Sequence, residues 1–376
     1  MSRSPDCAVL PAALPRSALL AYGALGLPLA MAALPVYVYV PRLYAEAAGM
    51  SLSLLGALLL GARLLDAGID PLLGAWSDRS RRRQRLILFA LPGLAIGMLA
   101  LLHPPSTAAP LWLLASLLLT YFAFSLASVA HQAWGAELGS NTAERTRLTA
   151  SREGFGLLGV IVAAALPGLL SSDLAQGLSG FARLFPLLLL MLASWTLLAT
   201  PAAGGRTPLR ASLLGDLGSV LGDRRFRQLL LVFVLNGIAA ALPATLVLFF
   251  VADVLQADAW SGAFLALYFA SAVAFLPLWV GLARRFGRVR SWLLSMLVAV
   301  ASFVWAAGLG AGDLWPFALV CLLSGAALGA DLTMPPALLA DMSEQPSQGC
   351  GERPGRARAG AYFGWWNLVA KLNLAL

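Results

Sequence analysis

The stretch GARLLDAGIDPLLGAWSDRSRRR, from Gly61 to Arg83, decides the fold class. Its first half is apolar, yet it carries Arg63, Asp66 and Asp70 at helical spacing, and it ends in a run of arginines. Charges are rare in an apolar helix unless they face one another or a water-filled cavity. The pattern predicts a membrane-spanning helix with one charged face, followed by a cationic connection on one side of a bilayer.

The composition of the whole chain also indicates a membrane protein. Of its 376 residues, 60% are hydrophobic and 12% are charged, whereas a soluble domain is about 45–50% apolar and about 25% charged. Apolar runs between polar breaks predict eleven helices of roughly bilayer-spanning length. These runs are 17–44, 50–76, 86–103, 109–138, 153–171, 180–201, 227–253, 258–283, 291–310, 314–342 and a last run from 359 onward.

The positive charges predict the orientation. The net charge is +8, and most arginines lie near the N-terminus and in the connections that follow the even-numbered runs. By the positive-inside rule, the N-terminus and these connections face the cytoplasm, and we expect a multi-pass protein of a bacterial cytoplasmic membrane. Because the arginines form short clusters between apolar runs, we expect no nucleic-acid binding. Three widely spaced cysteines suggest neither a disulfide framework nor a metal site.

Landmarks recur along the chain at separations of about 204 to 207 residues. They are Gly74 and Gly281, Glu137 and Asp341, and Arg152 and Arg358. The repeat predicts two six-helix halves, 1–201 and 227–376, joined by a polar cytoplasmic linker over 202–226. Ten complete spans and part of an eleventh are present, so we expect the second half to be incomplete at the C-terminus. Solute sites of such duplicated transporters lie near the midplane between the halves.

The motif Gly74-x-x-x-Asp78-Arg79-x-x-Arg82-Arg83 is similar to the signature that follows the second helix in the major facilitator superfamily. The resemblance implies an all-α integral membrane protein with the major-facilitator fold. It also implies a transporter that alternates between two openings.

The helix-two motif Arg63-x-x-Asp66-x-x-x-Asp70-Pro71-x-x-Gly74 resembles a narrower family, the melibiose-carrier or glycoside-pentoside-hexuronide:cation symporters. The regions around Trp134, over 145–152 and over 362–371 resemble it too. The resemblance implies cation-coupled uptake of a small solute, usually a sugar. Ala30 and Ala130 stand where that family has sugar-site acids, so the galactoside-type clamp is not carried over.

Asp66, Asp70 and Arg63 are the predicted cation-coupling residues. They share one helix face, and Asp66 lies about 15 Å from the arginine-rich end of its run, near mid-bilayer. Two carboxylates about 6 Å apart in a dry site share a cation or take up a proton. We favour the proton, with Na⁺ as the alternative, because few other oxygen ligands are near. Arg63 is expected to balance the acids when the site is empty.

Further residues are predicted to line a solute site, namely Lys371, Asp331, His131, Gln132, Trp134, Arg152 and Trp366. Structural roles are the alternatives for several of them. Lys371 could snorkel to the interface, Asp331 could form only an interhelical hydrogen bond, and Arg152, expected at the mouth of helix five, could anchor a loop.

Four charged residues at helix ends are predicted to latch the cytoplasmic loops, namely Asp78, Arg79, Glu137 and Asp341. Their positions beside the arginine clusters favour ion pairs between neighbouring helix ends over contact with a solute.

The sequence thus predicts a cation-coupled symporter of a small polar solute, with a sugar or glycoside favoured. We expect a monomer that contacts membrane lipid, binds a monovalent cation and holds no resident cofactor or metal. The alternatives are a proton-driven exporter or lysolipid-type transporter, and a non-transporting receptor or scaffold. An enzyme is not expected, since the chain shows no phosphate loop, metal-ligand spacing or nucleophile elbow.

Overall fold

The computed structural model describes residues 14–47, 49–80, 82–105, 107–202, 213–344 and 358–373. Across these ranges the chain is helical and contains no strand, as the all-α prediction requires. The helices are α1 (Arg16–Ala24), α2 (Gly26–Val38), α3 (Val40–Ala47), α4 (Leu52–Arg79), α5 (Arg83–Leu101), α6 (Ala109–Leu138), α7 (Thr142–Leu170), α8 (Leu174–Ala199), α9 (Leu213–Gly222), α10 (Arg224–Phe249), α11 (Ser261–Phe286), α12 (Arg288–Ala306), α13 (Leu314–Glu344) and α14 (Ala359–Asn373).

Ten segments of the described chain are long and apolar enough to cross a membrane. The consecutive helices α1 and α2 form the first, and α10 is extended by a π-helical turn over Phe250–Val254. The protein is therefore a multi-pass membrane protein. The short α14 is the described part of the predicted eleventh helix, and α9 lies inside the predicted linker. The division at 201 and 227 stays a prediction.

Two predicted helix starts are wrong because polar residues were assigned to connections. Helix five, predicted from 153, is α7 and begins at Thr142, where the side chain of Asn141 accepts a hydrogen bond from the Glu144 backbone. Helix six, predicted from 180, is α8 and begins after Asp173, which caps it through the Gln176 backbone. A side-chain cap satisfies backbone N–H groups that would otherwise lack partners, so a polar first turn can still be helical.

The apolar core divides into three clusters that show where the first set of helices, α1–α8, meets the second set, α9–α14. A large cluster belongs to α1–α8, and a small one around Phe264 and Phe317 belongs to the second set alone. A third cluster, around Trp279 and Trp366, also takes in Ala133 and Ala136 of α6. It lies toward the ends that carry Arg83, Arg145, Arg224 and Arg288, which we call the arginine-rich end. The described core therefore joins the two sets there and not at the opposite end.

Glycines allow α4 and α14 to pack backbone against backbone. A Cβ atom added at Gly74 would overlap the carbonyl of Gly360, and one added at Gly364 would lie 2.6 Å from the carbonyl oxygen of Asp70. Small residues at helix crossings permit this close approach. The contact holds the acidic face of α4 against the second set of helices.

Candidate ion-coupling site and latches

Lys371 of α14 lies between the two acids of α4. Its Nζ atom is 2.7 Å from Asp66 Oδ2 and 2.7 Å from Asp70 Oδ2. The exposed fractions are 5% for Asp66, 0% for Asp70 and 9% for Lys371. These three residues form an ion cluster, which joins the first set of helices to the second through a closed, buried contact. Lys371 does not snorkel, because its ammonium is held by these carboxylates.

Ser125 of α6 completes the cluster. Lys371 Nζ donates a hydrogen bond of 2.7 Å to Ser125 Oγ, which donates one of 2.6 Å to Asp66 Oδ1. Asp70 is close enough for an ion pair, but neither of its carboxylate oxygens has an aligned hydrogen bond. Buried carboxylate oxygens usually have such partners. Asp70 is therefore the less satisfied of the two acids.

Arg63 lies beside the cluster rather than on it. One Nη atom donates a weak 3.4 Å hydrogen bond to the backbone oxygen of Lys371, and the guanidinium lies 4.5 Å from the centre of the Tyr37 ring. The role predicted for Arg63, to balance the two acids, falls in this structure to Lys371.

His131 and Trp134 pack inside the first set of helices. His131 Nε2 is 2.9 Å from the backbone oxygen of Tyr22, whose hydroxyl donates to the backbone oxygen of His131. This reciprocal pair joins α6 to α1, and Trp134 lies edge-on to the same tyrosine. His131 Nδ1, Trp134 Nε1 and Gln132 Oε1 are buried without hydrogen-bond partners. The geometry shows contact between helices and leaves the solute-binding role of these residues a prediction.

Arg152 lies about three turns inside α7, not at the mouth of a helix as predicted. Its Nε donates a 3.0 Å hydrogen bond to Glu153, and the two side chains form an ion pair. The backbone oxygen of Arg152 packs against Gly26, where an added Cβ atom would lie 2.5 Å from it. Arg152 therefore belongs to the contact between α7 and α2, away from the arginine-rich connections.

Asp331 lies apart from the acids of α4. Its Oδ1 atom accepts hydrogen bonds from Asn236 Nδ2 at 2.7 Å and from Trp292 Nε1 at 2.8 Å. These bonds join α13 to α10 and α12. Trp366, the other solute residue predicted in this part of the chain, is buried against the ring of Phe233 at 3.9 Å.

The carboxylate of Asp78 caps α14 across the boundary between the two sets of helices. Its oxygens accept hydrogen bonds from the backbone N–H groups of Gly360 at 2.7 Å and Ala361 at 2.8 Å. A carboxylate at a helix N-terminus is favourable because the unpaired N–H groups and the helix dipole both attract negative charge. The bond holds the arginine-rich end closed.

Arg83, which sequence reasoning missed, connects Asp78 to Glu137. Its guanidinium donates at 2.7 Å to each of these two acids and at 2.6 Å to Ser77. Arg79, another of the four predicted latch residues, donates a hydrogen bond to the backbone oxygen of Ala75 one turn earlier in its own helix, and its latch role stays a prediction. The run of arginines indicates a latch but does not show which arginine forms it. Arg83 reaches both acids because α5 begins at this residue.

Asp341 forms a second latch across the same boundary. Its carboxylate accepts from Arg145 at 3.0 Å and from Thr142 at 3.2 Å, both on α7, and it pairs with Arg288 of α12. Arg288 begins α12 as Arg83 begins α5, and the two arginines are about 205 residues apart. Between described residues, every hydrogen bond or ion pair joining the two sets of helices lies from the arginine-rich end to the level of Arg63.

Away from the ion cluster, the described residues offer little further binding chemistry. A crevice of about 690 Å³ lies between α7 and α8 at the opposite end, lined by residues such as Ser171, Gln176 and Arg183. It does not reach the ion cluster. In the described ranges, no group of three or more histidine, cysteine, aspartate or glutamate side chains is placed to hold a metal ion.

The family model described as MFS/sugar transport protein matches residues 19–376. The chain belongs to this family. The match covers nearly the whole chain and confirms the membership predicted from the helix-two motif. Among curated protein sequences, none matches significantly.

Solved structures show the same fold at low sequence identity. A bacterial homologue of the iron transporter ferroportin, in an outward-facing state, has a TM-score of 0.70 at 16% identity, over 96% of this chain and 90% of that chain. The human organic anion transporter MFSD10 gives 0.66 at 18%, over 96% and 92%. The Escherichia coli fucose:proton symporter gives 0.70 at 14%, over 94% and 88%. These similarities confirm the major-facilitator fold and no more.

Proposed function

We propose that this protein is a proton-coupled symporter that moves a small polar solute by alternating access. The observation that carries the proposal is the placement of Lys371 between Asp66 and Asp70. The three side chains tie the two sets of helices together at mid-depth with two acids and one ammonium. Ionisable residues inside spans usually serve an ion or solute pathway.

Two carboxylates share one ammonium in this cluster, and this imbalance explains how an added cation could act on it. Lys371 is shared by both acids, and neither oxygen of Asp70 is held by a hydrogen bond. A proton on Asp70 removes one carboxylate charge and leaves Lys371 with Asp66 alone. This weakens the tie between α14 and α4 at the position where the two sets of helices meet. A proton fits better than Na⁺, which needs several oxygen ligands.

The latches supply the second part of the mechanism. Asp78 and Asp341 hold the arginine-rich end closed, while the described core does not join the sets at the other end. We assign the arginine-rich end to the cytoplasm, by the positive-inside rule. The structure is then the outward-facing member of the cycle. Entry of the cation and the solute would favour release of the latches and closure of the outer end.

The family description favours a sugar or glycoside as the solute. The structural neighbours named above carry different kinds of solute, so they do not narrow this choice. Ala30 and Ala130 also remove the acids of the galactoside clamp. The proposal therefore fixes the coupling residues more closely than the solute.

Uptake by the full-length gene product in proteoliposomes tests the proposal. With an imposed proton gradient, a panel of labelled monosaccharides and glycosides should include one that accumulates above equilibrium, and a protonophore should abolish this. Asp66→Asn and Asp70→Asn should each lose gradient-driven accumulation. Asp253→Asn is the matched control, since Asp253 is exposed near the outer end. Undiminished accumulation by both test variants would refute the coupling role.

A further inference from the structure

We propose that Arg63 recognises a carboxylate on the transported solute, which makes the solute an anion. The inference rests on the proposed transport function and names its substrate class. It starts from the position of Arg63 between the two sets of helices. The guanidinium contacts the Tyr37 ring of α2 on one side and the backbone of Lys371 in α14 on the other.

Arg63 is a charged group that has no acidic partner in the part of the chain that the structure describes. Among the described residues it forms no ion pair, because Lys371 occupies both nearby carboxylates. Its Nε atom is buried and has no hydrogen-bond partner, and the hydrogen bond from its Nη atom to the backbone oxygen of Lys371 is long at 3.4 Å. Arginine stays protonated in proteins. A positive charge at mid-depth is costly, so an unpaired one indicates a missing negative partner.

The surroundings of Arg63 fit a solute that enters from the open end. Arg63 precedes Asp66 by about one turn, on the side of the cluster away from the latches. Tyr37 is 41% exposed, and its ring lies against the guanidinium from the side of α2. The planar guanidinium donates two parallel hydrogen bonds to a carboxylate, and the aromatic ring keeps it in place.

Charge balance links this recognition to the ion cluster. Asp66, Asp70, Lys371 and Arg63 together carry no net charge when all are ionised. A solute carboxylate on Arg63 adds one negative charge, and a proton on Asp70 cancels it. The loaded site is then neutral again, so the solute and the proton each favour entry of the other.

The test compares carboxylates with neutral molecules of similar shape. Proteoliposomes containing the full-length protein are assayed for uptake and counterflow of glucose and glucuronate, sorbitol and gluconate, and glycerol and glycerate. The inference predicts that at least one acid moves and that its neutral partner moves more slowly. Arg63→Gln should lower transport of that acid by about tenfold or more, as expected for loss of charge-assisted hydrogen bonds.

Two further variants separate recognition from folding. Arg63→Lys keeps the charge but loses the two-pronged geometry, so it should retain part of the activity if it elutes as a monodisperse protein. Arg42→Gln changes an exposed arginine paired with Glu46 and should transport like the wild type. If Arg63→Gln fails to fold, the preference of the wild type and the partial activity of Arg63→Lys still decide the question.

The outcomes are distinct for the two proposals. Transport of the neutral molecules alone, or an Arg63→Gln protein that still prefers the acid, overturns the carboxylate inference and leaves the proposed transport function standing. Movement of none of the six molecules overturns both.

Discussion

The Nζ atom of Lys371 lies 2.7 Å from Oδ2 of Asp70, a residue with no exposed surface, and this ion pair joins α14 to α4. The same nitrogen is equally close to Asp66. A link of this kind depends on protonation, because either acid loses its attraction for the ammonium when it gains a proton. The proposed coupling step therefore lies in one contact between the two sets of helices.

Replacement of Lys371 by Gln should destabilise the protein. It leaves two buried carboxylates without their cation, and loss of one partner of a buried ion pair costs about 3–5 kcal/mol. Thermal unfolding in detergent should show a lower midpoint than for the wild type. Lowering the pH should raise the unfolding midpoint of Lys371→Gln relative to that of the wild type, because a proton then removes an uncompensated charge from the variant.

The double variant Lys371→Gln with Asp70→Asn provides the control for that experiment. It removes one of the orphaned charges, so its unfolding midpoint should lie above that of Lys371→Gln alone. Equal midpoints for all three proteins would show that the ion pair adds nothing to stability.

Gly74→Ala should prevent full closure of the arginine-rich end. Its added methyl group would overlap the carbonyl of Gly360, and neither backbone can move without separating α4 from α14. Gly68→Ala on the same helix is the matched control, because a Cβ atom there meets nothing within 4 Å. Spin labels at Arg85 and Gln228, both exposed near this end, should report longer distances only for Gly74→Ala. Identical distance distributions would argue against the close packing.

Asp78→Asn should loosen the same end by a different route. It removes the negative charge of the carboxylate that accepts hydrogen bonds from the backbone N–H groups of Gly360 and Ala361 and that pairs with Arg83. Hydrogen bonds to a charged group contribute about 1.5–3 kcal/mol each. The ratio of closed to open molecules at this end should therefore fall about tenfold or more. Double electron–electron resonance with the labels at 85 and 228 measures this shift, and an unchanged closed population would contradict the latch.

The sequence predicted the parts of the site that depend on a single helix. Arg63, Asp66 and Asp70 share one face by spacing alone, and charges at mid-depth require partners, which indicated Lys371 as another group at that level. The sequence also predicted that charged groups of the second and eleventh spans meet, but which side chain pairs with which depends on packing between helices and could not be predicted. Lys371 rather than Arg63 balances the acids, and Arg83, which was not among the predicted latch residues, bridges Asp78 and Glu137.

Helix boundaries account for other differences between prediction and structure. The first turns of α7 are polar, so hydropathy placed them in a connection, although the Asn141 cap begins the helix there. This moved Arg152 from the predicted mouth of helix five to the third turn of a span. The partners of His131 and Asp331 lie on distant helices, and no local pattern indicated Tyr22, Asn236 or Trp292.

The coupling claim is tested most directly by distances across the open end as pH changes, with no solute required. Cys7, Cys321 and Cys350 are replaced by serine, and spin labels are placed at Leu52 and Trp260, which are exposed at the starts of α4 and α11. In the wild type, lowering the pH from about 8 to about 5 should increase the population with a shorter distance, because protonation releases Lys371.

The Asp66→Asn, Asp70→Asn double variant should show a single distance distribution at both pH values, resembling that of the wild type at low pH. A wild type that ignores pH, or a double variant that responds as the wild type does, would contradict the claim that these two acids couple a proton to the movement of the helices.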